Sequence, residues 1–120
     1  MSSCVFDGDN HETTFHLGIY LEDNIIGVCS FFKNKHKSIT HESQYQVRGM
    51  AILKSFQGKG LGHKILSYGE NLLNDKNIET IWCNAREVAS DFYKKNGYQI
   101  LGEPFLIQKI GVHFVMYKHL

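Results

Sequence analysis

A glycine-rich turn, Gln57-Gly58-Lys59-Gly60-Leu61-Gly62, is the feature that most constrains what this 120-residue chain can fold into. The turn follows an apolar segment with strand character and precedes a segment whose apolar residues recur at helical spacing. At such a junction the first N–H groups of the helix have no partner within the helix, and the positive end of the helix dipole faces the turn. Because glycines let an anion approach the backbone closely, the turn is a candidate site for phosphate or pyrophosphate.

The spacing of these glycines excludes two common nucleotide-binding loops. A Walker A loop needs G-x-x-x-x-G-K-[ST], but Gly58 and Gly62 are too close together, and Ile65 follows Lys64 where a hydroxyl is required. A dinucleotide-binding loop needs G-x-G-x-x-G, whereas these glycines are spaced G-x-G-x-G. Taken by itself, the cluster fits either a plain turn or a ligand site.

Hydrophobic periodicity along the rest of the chain predicts a mixed α/β sandwich in the order β-β-β-α-β-α-β-β. At this length we expect residues 1–120 to form a single domain. Residues 1–13 are polar and are expected to be loop-like. Gly49, inside the third strand, indicates a bulge or a close backbone approach. The predicted strands are Thr14–Tyr20, Ile25–Phe32, Tyr45–Leu53, Thr80–Ala85, Tyr98–Leu101 and Val112–His119. The predicted helices are Gly60–Asn74 and Glu87–Asn96. In the second helix we expect Val88, Ala89 and Phe92 to face inward and Gly97 to end the helix.

Composition excludes several classes of function. Thirteen lysines and arginines against twelve acidic residues give a net charge of +1, so no basic field favours nucleic acid or an anionic membrane. No apolar run approaches the length of a membrane span, and no secretory signal is evident. Three cysteines without a CxxC pair fit reduced thiols in a cytoplasmic protein. Seven histidines occur without an HExxH motif or a Cys/His quartet, so we expect no metal site.

Two motifs together give a resemblance to a known family. The pattern Q-x-x-G-x-G after a strand, within RGMAILKSFQGKGLGHKIL, resembles the acetyl-CoA-binding motif of the GNAT superfamily of acyl-CoA-dependent N-acetyltransferases. The stretch NAREVASDFYKKNGY is similar to the second motif of that family, N-x-x-A-x-x-F-Y-x-K-x-G-[FY]. LGEPF followed by GVHFVMYK is similar to the C-terminal strand pair of small bacterial members. The resemblance runs from about residue 44 to the C-terminus, with a weaker continuation back to Phe15. Two motifs in the right order are more specific than either alone.

The resemblance implies a mostly antiparallel sheet with a V-shaped splay that holds acetyl-CoA as co-substrate. A bulge at Gly49 would open the slot, and Asn84 would hydrogen-bond the pantetheine arm. Tyr93 matches the tyrosine that lies near the sulfur of CoA in the family. Backbone groups of Met50, Ala51 and Ile52 would contact the pantetheine, and the pyrophosphate would lie on Gln57, Gly58, Lys59, Gly60, Leu61, Gly62 and His63.

The chemistry of acyl transfer gives the remaining side chains candidate roles. The acceptor amine must lose a proton and the leaving thiolate must gain one, so a base and an acid are needed. Tyr93 is the candidate acid, with core packing as the alternative. His113, in a strand beside the acceptor cleft, is the candidate base, with a surface or satisfied core histidine as the alternative. Other readings stay open: His16 or Glu103 as the base, Asn84 as a cap of the second helix, Arg48 as an ion pair or a substrate clamp, and Cys83 as buried packing.

Most members of the family carry an extra strand and two helices before the first hairpin, whereas about 13 residues precede it here. A reduced N-terminal region would leave apolar surface uncovered, so we expect a homodimer. The predicted function is transfer of acetyl from acetyl-CoA directly to a primary amine of a small molecule or peptide. The alternatives are a non-catalytic acyl-CoA-binding module and a partner-dependent interaction module. The acceptor stays open among small amines, amino acids, polyamines and protein N-termini.

Overall fold

The computed structural model describes residues 3–5, 14–108 and 110–120, and within them the chain forms a mixed α/β fold. This confirms the predicted class. Two α-helices alternate with strands in the second half of the chain. The strands are β1 (Ser3–Val5), β2 (Thr14–Leu21), β3 (Asn24–Lys33), β4 (Gln44–Ile52), β5 (Thr80–Arg86), β6 (Gln99–Ile107) and β7 (Gly111–His119); the α-helices are α1 (Leu61–Asp75) and α2 (Ser90–Lys95); and short 3₁₀ turns span Lys54–Phe56 and Glu87–Ala89.

The described strands form one sheet in the order β1-β2-β3-β4-β5-β7-β6. All neighbours are antiparallel except β4 and β5, which pair in parallel. That parallel ladder covers only Gln44–Gln46 against Thr80–Trp82. Beyond it, β4 continues to Ile52 and β5 to Arg86 without pairing with each other. The sheet therefore opens into a V at its centre, as the resemblance implied.

A bulge in β4 accompanies this opening. Val28 of β3 pairs with Ala51, and Ser30 pairs with Arg48, so two residues of β4 stand opposite the single residue between them on β3. Gly49 is one of the two and has a φ of +65°, a left-handed conformation that glycine adopts without strain. Because a bulge bends its strand and increases the local twist, it turns β4 away from β5. The irregularity predicted at Gly49 is confirmed.

Both helices pack on the same face of the sheet, which we call the helical face. A Cβ atom added to Gly69 of α1 would lie 2.1 Å from the ring of Phe31 on β3, so this helix lies directly on the sheet. A Cβ atom added to Gly62 of α1 would lie 3.1 Å from the ring of Phe92 on α2, so the two helices lie close together. The opposite face, which we call the open face, carries no helix among the described residues. The fully buried core fills the helical face and includes Leu17, Ile19, Cys29, Phe31, Ile65, Leu66, Leu73, Ile81 and Met116.

Two predicted boundaries were wrong. Ser3–Val5 pairs with β2 as an edge strand rather than lying in a loop, while residues 1–2 and 6–13 lie outside the described residues. Strand β6 continues to Ile107 instead of ending at Leu101. Its register shifts between Leu101 and Phe105, and this irregular stretch holds Gly102 and the single proline. An edge strand tolerates a bulge and a proline because one of its sides needs no ladder partner.

The second predicted helix is divided into a 3₁₀ turn and a short α-helix. The side chain of Val88 in the 3₁₀ turn is 84% exposed, so its predicted inward orientation was wrong. A 3₁₀ turn has three residues per turn and does not carry the 3.6-residue stripe of an α-helix. Gly97, with a φ of +92°, does end α2, and the N–H of Tyr98 bonds the carbonyl of Tyr93 at 3.0 Å. No helix in the described ranges is long and apolar enough to cross a membrane.

Candidate active site

The glycine-rich turn ends at the start of α1 and faces a cavity of about 410 Å³. Gly58 and Gly60 have φ values of +78° and +77°, and a Cβ atom on either would meet no heavy atom within 4 Å. Gly60 is the N-cap, its carbonyl accepts the N–H of Lys64 at 3.1 Å, and no side chain among the described residues makes a capping bond at the helix start. The N–H groups of the first turn are therefore available to an anion, and the space in front of the glycines is open. These features fit a pyrophosphate group.

Side-chain hydrogen bonds hold both sides of this cavity. The Nε2 of Gln57 donates to the carbonyl of Ile52 at 2.9 Å, which fixes the turn to the end of β4. On the other side, the Nδ1 of His63 is hydrogen-bonded to Asn96 at the end of α2. Of the residues predicted for the pyrophosphate, all line the cavity except Lys59, whose ammonium lies 5.7 Å from the Phe56 ring.

A second cavity of about 670 Å³ fills the gap where β4 and β5 separate. Strand β4 joins the two cavities, because Met50 lines the gap, Ile52 lines the turn cavity, and the exposed Ala51 lies between them. From the helical face the gap is lined by Cys83 and Tyr93. The predicted cofactor residues of β4 therefore lie along one continuous strand edge.

Tyr93 lies at the helical-face side of this cavity and is 7% exposed. Its ring makes edge contacts with the rings of Phe92 and Tyr98 at centroid distances of 5.2 and 5.3 Å. Burial raises the pKa of the Tyr93 hydroxyl well above its usual range, and the nearby Cys83 raises it further. The hydroxyl therefore keeps its proton at physiological pH and can donate it in a hydrogen bond.

Cys83 hydrogen-bonds Tyr93 and lies behind it on β5. Burial raises the pKa of its thiol to about 12, and the hydrogen bond from Tyr93 offsets part of that shift. The nucleophilic form of a cysteine is the thiolate, so this thiol is a poor nucleophile at neutral pH. The buried packing role considered for Cys83 fits this environment.

His113 lies on the open-face side of the same cavity and is 5% exposed. It stands opposite Arg86 in the β5–β7 ladder. Its Nδ1 lies 2.9 Å from the carbonyl oxygen of Gly111, and since a carbonyl only accepts, Nδ1 carries the hydrogen. In the neutral ring the Nε2 atom then has a free lone pair that can accept a proton. His16, the weaker candidate base, lines a different cavity on β2 and β3.

Asn84 also lines the gap, with its side chain exposed. The N-caps of the 3₁₀ turn and of α2 are Arg86 and Ala89, and neither makes a side-chain capping bond. The alternative that Asn84 caps the second helix was therefore wrong. Arg86 itself lines the gap and was not among the predicted residues. Strand alternation could have found it, because side chains two residues apart share a face of the sheet.

The described residues contain no group of three or more histidine, cysteine or acidic side chains arranged to hold a metal ion. Among the groups that line the gap are the hydroxyl of Tyr93, the imidazole of His113 and the β4 residue Met50.

Comparison with known proteins agrees with this geometry. The model of the Acetyltransferase (GNAT) family matches residues 3–98. The chain belongs to the GNAT acetyltransferase family. It is 36% identical over 120 residues to the uncharacterized N-acetyltransferase YitI of Bacillus subtilis (strain 168). This match covers all of the present chain and 80% of YitI.

Solved structures share the GNAT fold. An aminoglycoside 6′-N-acetyltransferase complexed with coenzyme A superposes with a TM-score of 0.75 at 14% identity, over 91% of this chain and 74% of that one. An acetyltransferase from Bacillus anthracis str. Ames, in complex with acetyl coenzyme A, has a TM-score of 0.78 at 20% identity, over 95% of this chain and 66% of that one. As a GNAT member the chain is an acyl-CoA-dependent acyltransferase.

Proposed function

We propose that this GNAT enzyme transfers acetyl from acetyl-CoA directly to the primary amine of a small-molecule acceptor, with His113 as general base and Tyr93 as general acid. The observation that carries the proposal is that Tyr93 and His113 line one cavity. Met50, on the strand predicted to hold the pantetheine arm, lines it too. A proton donor, a proton acceptor and the cofactor strand are thereby brought together in the gap between β4 and β5.

The cofactor would lie with its pyrophosphate on the turn at Gly58–His63 and its pantetheine arm along Met50–Ile52. Asn84, which lines the gap from the opposite side, would hydrogen-bond that arm. The two cavities adjoin the ends of the same β4 segment, which is the path this arrangement needs. When bound, acetyl-CoA supplies the activated acyl group, and the protein supplies orientation and proton transfer.

Each proton has a defined place in this scheme. The Nε2 of His113 takes a proton from the acceptor amine as the new C–N bond forms. As the C–S bond breaks, the Tyr93 hydroxyl donates toward the sulfur, which leaves as the thiol of CoA. A raised pKa keeps Tyr93 protonated before the reaction, as this role requires. Overall, one thioester and one amine give one amide and one free thiol.

A homodimer is also part of the proposal. Ile25 and Val28 on β3 are 47% and 37% exposed. Val28 stands next to the bulge that opens the gap. A second copy packed over this part of the open face would bury both side chains and close the acceptor side of the site.

The experiment is incubation with acetyl-CoA and a panel of amines, read by release of CoA thiol and by the mass of the product. We expect at least one amine to gain one acetyl group with equal release of CoA. His113→Gln should lower kcat by roughly 10²–10⁴-fold, as expected for loss of a general base. His119→Gln, on the same strand, is the matched control and should keep its activity. Binding of CoA without turnover of any amine would support the acyl-CoA-binding alternative instead.

A further inference from the structure

Both arginines of the chain, Arg48 and Arg86, line the gap cavity. We propose that they bind a negatively charged group of the acceptor, a carboxylate or a phosphate, and so select an anionic amine such as an amino acid. The inference rests on the proposed function and names the substrate class of the same site.

The two arginines lie on the open face, on opposite sides of the gap. Arg48, on β4, stands opposite Ser30 of β3, and its guanidinium lies 5.5 Å from the ring of Phe32. Arg86 is the last residue of β5 and pairs with His113 of β7. Since paired residues in an antiparallel ladder share a face, Arg86 lies beside the candidate base.

No acidic side chain balances these charges in the cavity. Among the described residues that line it, none is an aspartate or a glutamate. Neither guanidinium forms an ion pair within the described part of the chain. The cavity is therefore cationic, although the net charge of the whole chain is only +1.

Three polar residues of the cavity wall, Asn34, Gln46 and Trp82, are hydrogen-bonded to one another. The Nδ2 of Asn34 donates to the Oε1 of Gln46 at 2.8 Å, and the Nε1 of Trp82 donates to the carbonyl of Asn34 at 2.8 Å. These bonds fix the start of the β3–β4 connection beside Trp82 and make the wall rigid. Within the described ranges, the two guanidinium groups are thus the charged donors of the wall that have no ion-pair partner.

A guanidinium is always charged and presents a planar fork of donors that matches a carboxylate or a phosphate. Two such forks in a partly enclosed cavity attract an anion and repel a polycation. Of the acceptors that the sequence left open, an amino acid fits this cavity and a polyamine does not. An anion held between the arginines would keep the adjacent amine near His113.

Matched pairs of acceptors that differ only in the anionic group test this directly. The pairs are phenylalanine with phenethylamine, lysine with cadaverine, and phosphoethanolamine with ethanolamine, and spermidine represents a polycation. We expect kcat/KM to be about 10- to 100-fold higher for the anionic member of the preferred pair, as expected for charge-assisted hydrogen bonds. The first two pairs report a carboxylate preference, and the third reports a phosphate preference.

Variants then assign the preference to the arginines. Arg48→Gln and Arg86→Gln should each lower kcat/KM by about 10- to 100-fold for the acceptor that carries the anionic group. They should leave kcat/KM unchanged for the partner that lacks this group. The lysine variants Arg48→Lys and Arg86→Lys keep the charge but lose the fork, so they should fall between wild type and the glutamine variants. Lys37→Gln removes a charge from the exposed β3–β4 connection and should change neither rate.

Three results would overturn the inference: equal kcat/KM within every pair, preference for spermidine, or arginine variants that slow both members of a pair equally. Loss of CoA affinity in Arg86→Gln would instead make Arg86 a cofactor residue.

If no amine is acetylated although CoA binds, the proposed function fails. Calorimetry with N-acetylphenylalanine and N-acetylphenethylamine then decides this inference separately. Arginine-dependent binding of only the carboxylate would support it, and the absence of such binding would overturn it.

Discussion

Tyr93 and His113 line the same cavity from opposite faces of the sheet. Tyr93 contacts Cys83, which points to the helical face, whereas His113 shares a ladder position with Arg86, three residues further along β5. Because successive side chains of a strand alternate between faces, these two positions of β5 face opposite ways. The two groups can meet at one cavity only because β4 and β5 stop pairing after Gln46 and Trp82.

Tyr93→Phe tests the acid. The change removes one oxygen and keeps the ring, so we expect folding to change little. The leaving thiolate would lose its proton donor, and kcat should fall by roughly 10²–10⁴-fold, together with kcat/KM. Steady-state kinetics with CoA binding measured in parallel would check this. An unchanged kcat in an assay limited by chemistry would return Tyr93 to a packing role, and a lost CoA affinity would make it a binding residue.

Gly60→Val tests the turn as the pyrophosphate site. A β-branched residue at a φ of +77° is strained and would block the approach of an anion to the backbone. We expect acetyl-CoA to raise the Tm of the wild type by mass action and to give no shift in this variant. Gly102→Val is the matched control, because Gly102 has a φ of +73° and equally open surroundings on the edge strand β6. A preserved shift in Gly60→Val, or a shift with NAD but not CoA in the wild type, would contradict the assignment.

Gly69→Ala tests the packing of α1 on the sheet. The new Cβ atom would lie 2.1 Å from the ring of Phe31, which is fully buried and stacked on Phe15 at 4.8 Å. Overpacking of this kind lowers the free energy of unfolding by about 1–3 kcal/mol. Asn71→Ala on the exposed side of α1 should change the urea midpoint little. Equal midpoints for the two variants would show that the helix shifts away at no cost.

Alkaline pH should destabilise the fold. Burial raises the pKa of the Cys83 thiol to about 12. Burial also raises the pKa of the Tyr98 hydroxyl well above its usual range, and the Glu70 carboxylate raises it further. In the unfolded chain these groups have pKa values of about 9 to 10, and in the folded protein their pKa values are higher. At a pH between the two, the unfolded chain has lost protons that the folded protein keeps, so the free energy of unfolding falls as pH rises. Each such group contributes about 1.4 kcal/mol per pH unit within that window. Urea unfolding across this range should show a shallower decline for Cys83→Ala than for the wild type. Identical slopes would argue against a buried protonated thiol.

The homodimer is tested by its exposed apolar pair. Sedimentation of the wild type at tens of micromolar should show a dimer, and Val28→Lys should shift it toward monomer by placing a charge among apolar groups. Val88→Lys, at the exposed 3₁₀ turn, is the control and should leave the dimer intact. A clean wild-type monomer that still acetylates an amine would refute the dimer.

The elements around the glycine-rich turn were predictable because local signals there agree with the tertiary structure. Gly60 in a left-handed conformation must precede the helix, and the apolar stripe of Leu61–Asp75 faces the sheet as expected. The length of β6 could not be predicted, because Gly102 and the following proline indicate a turn unless the strand is known to lie at an edge. Arg86 escaped prediction because the predicted strand ended at Ala85, so the alternation that places Arg86 on the face of Asn84 was not extended to it. It took the ladder with His113 to show which face it occupies.

The short parallel ladder between β4 and β5 has a consequence for amide exchange. The central strands of a sheet are usually the slowest to exchange hydrogen for deuterium, because both of their edges are bonded to neighbours. Beyond Gln46, β4 is bonded to β3 alone, so its amides that point into the gap are open to water. This holds although β4 is the middle strand of the seven-stranded sheet. The middle of this sheet should therefore take up deuterium early, and the same amides should become protected once a ligand occupies the gap.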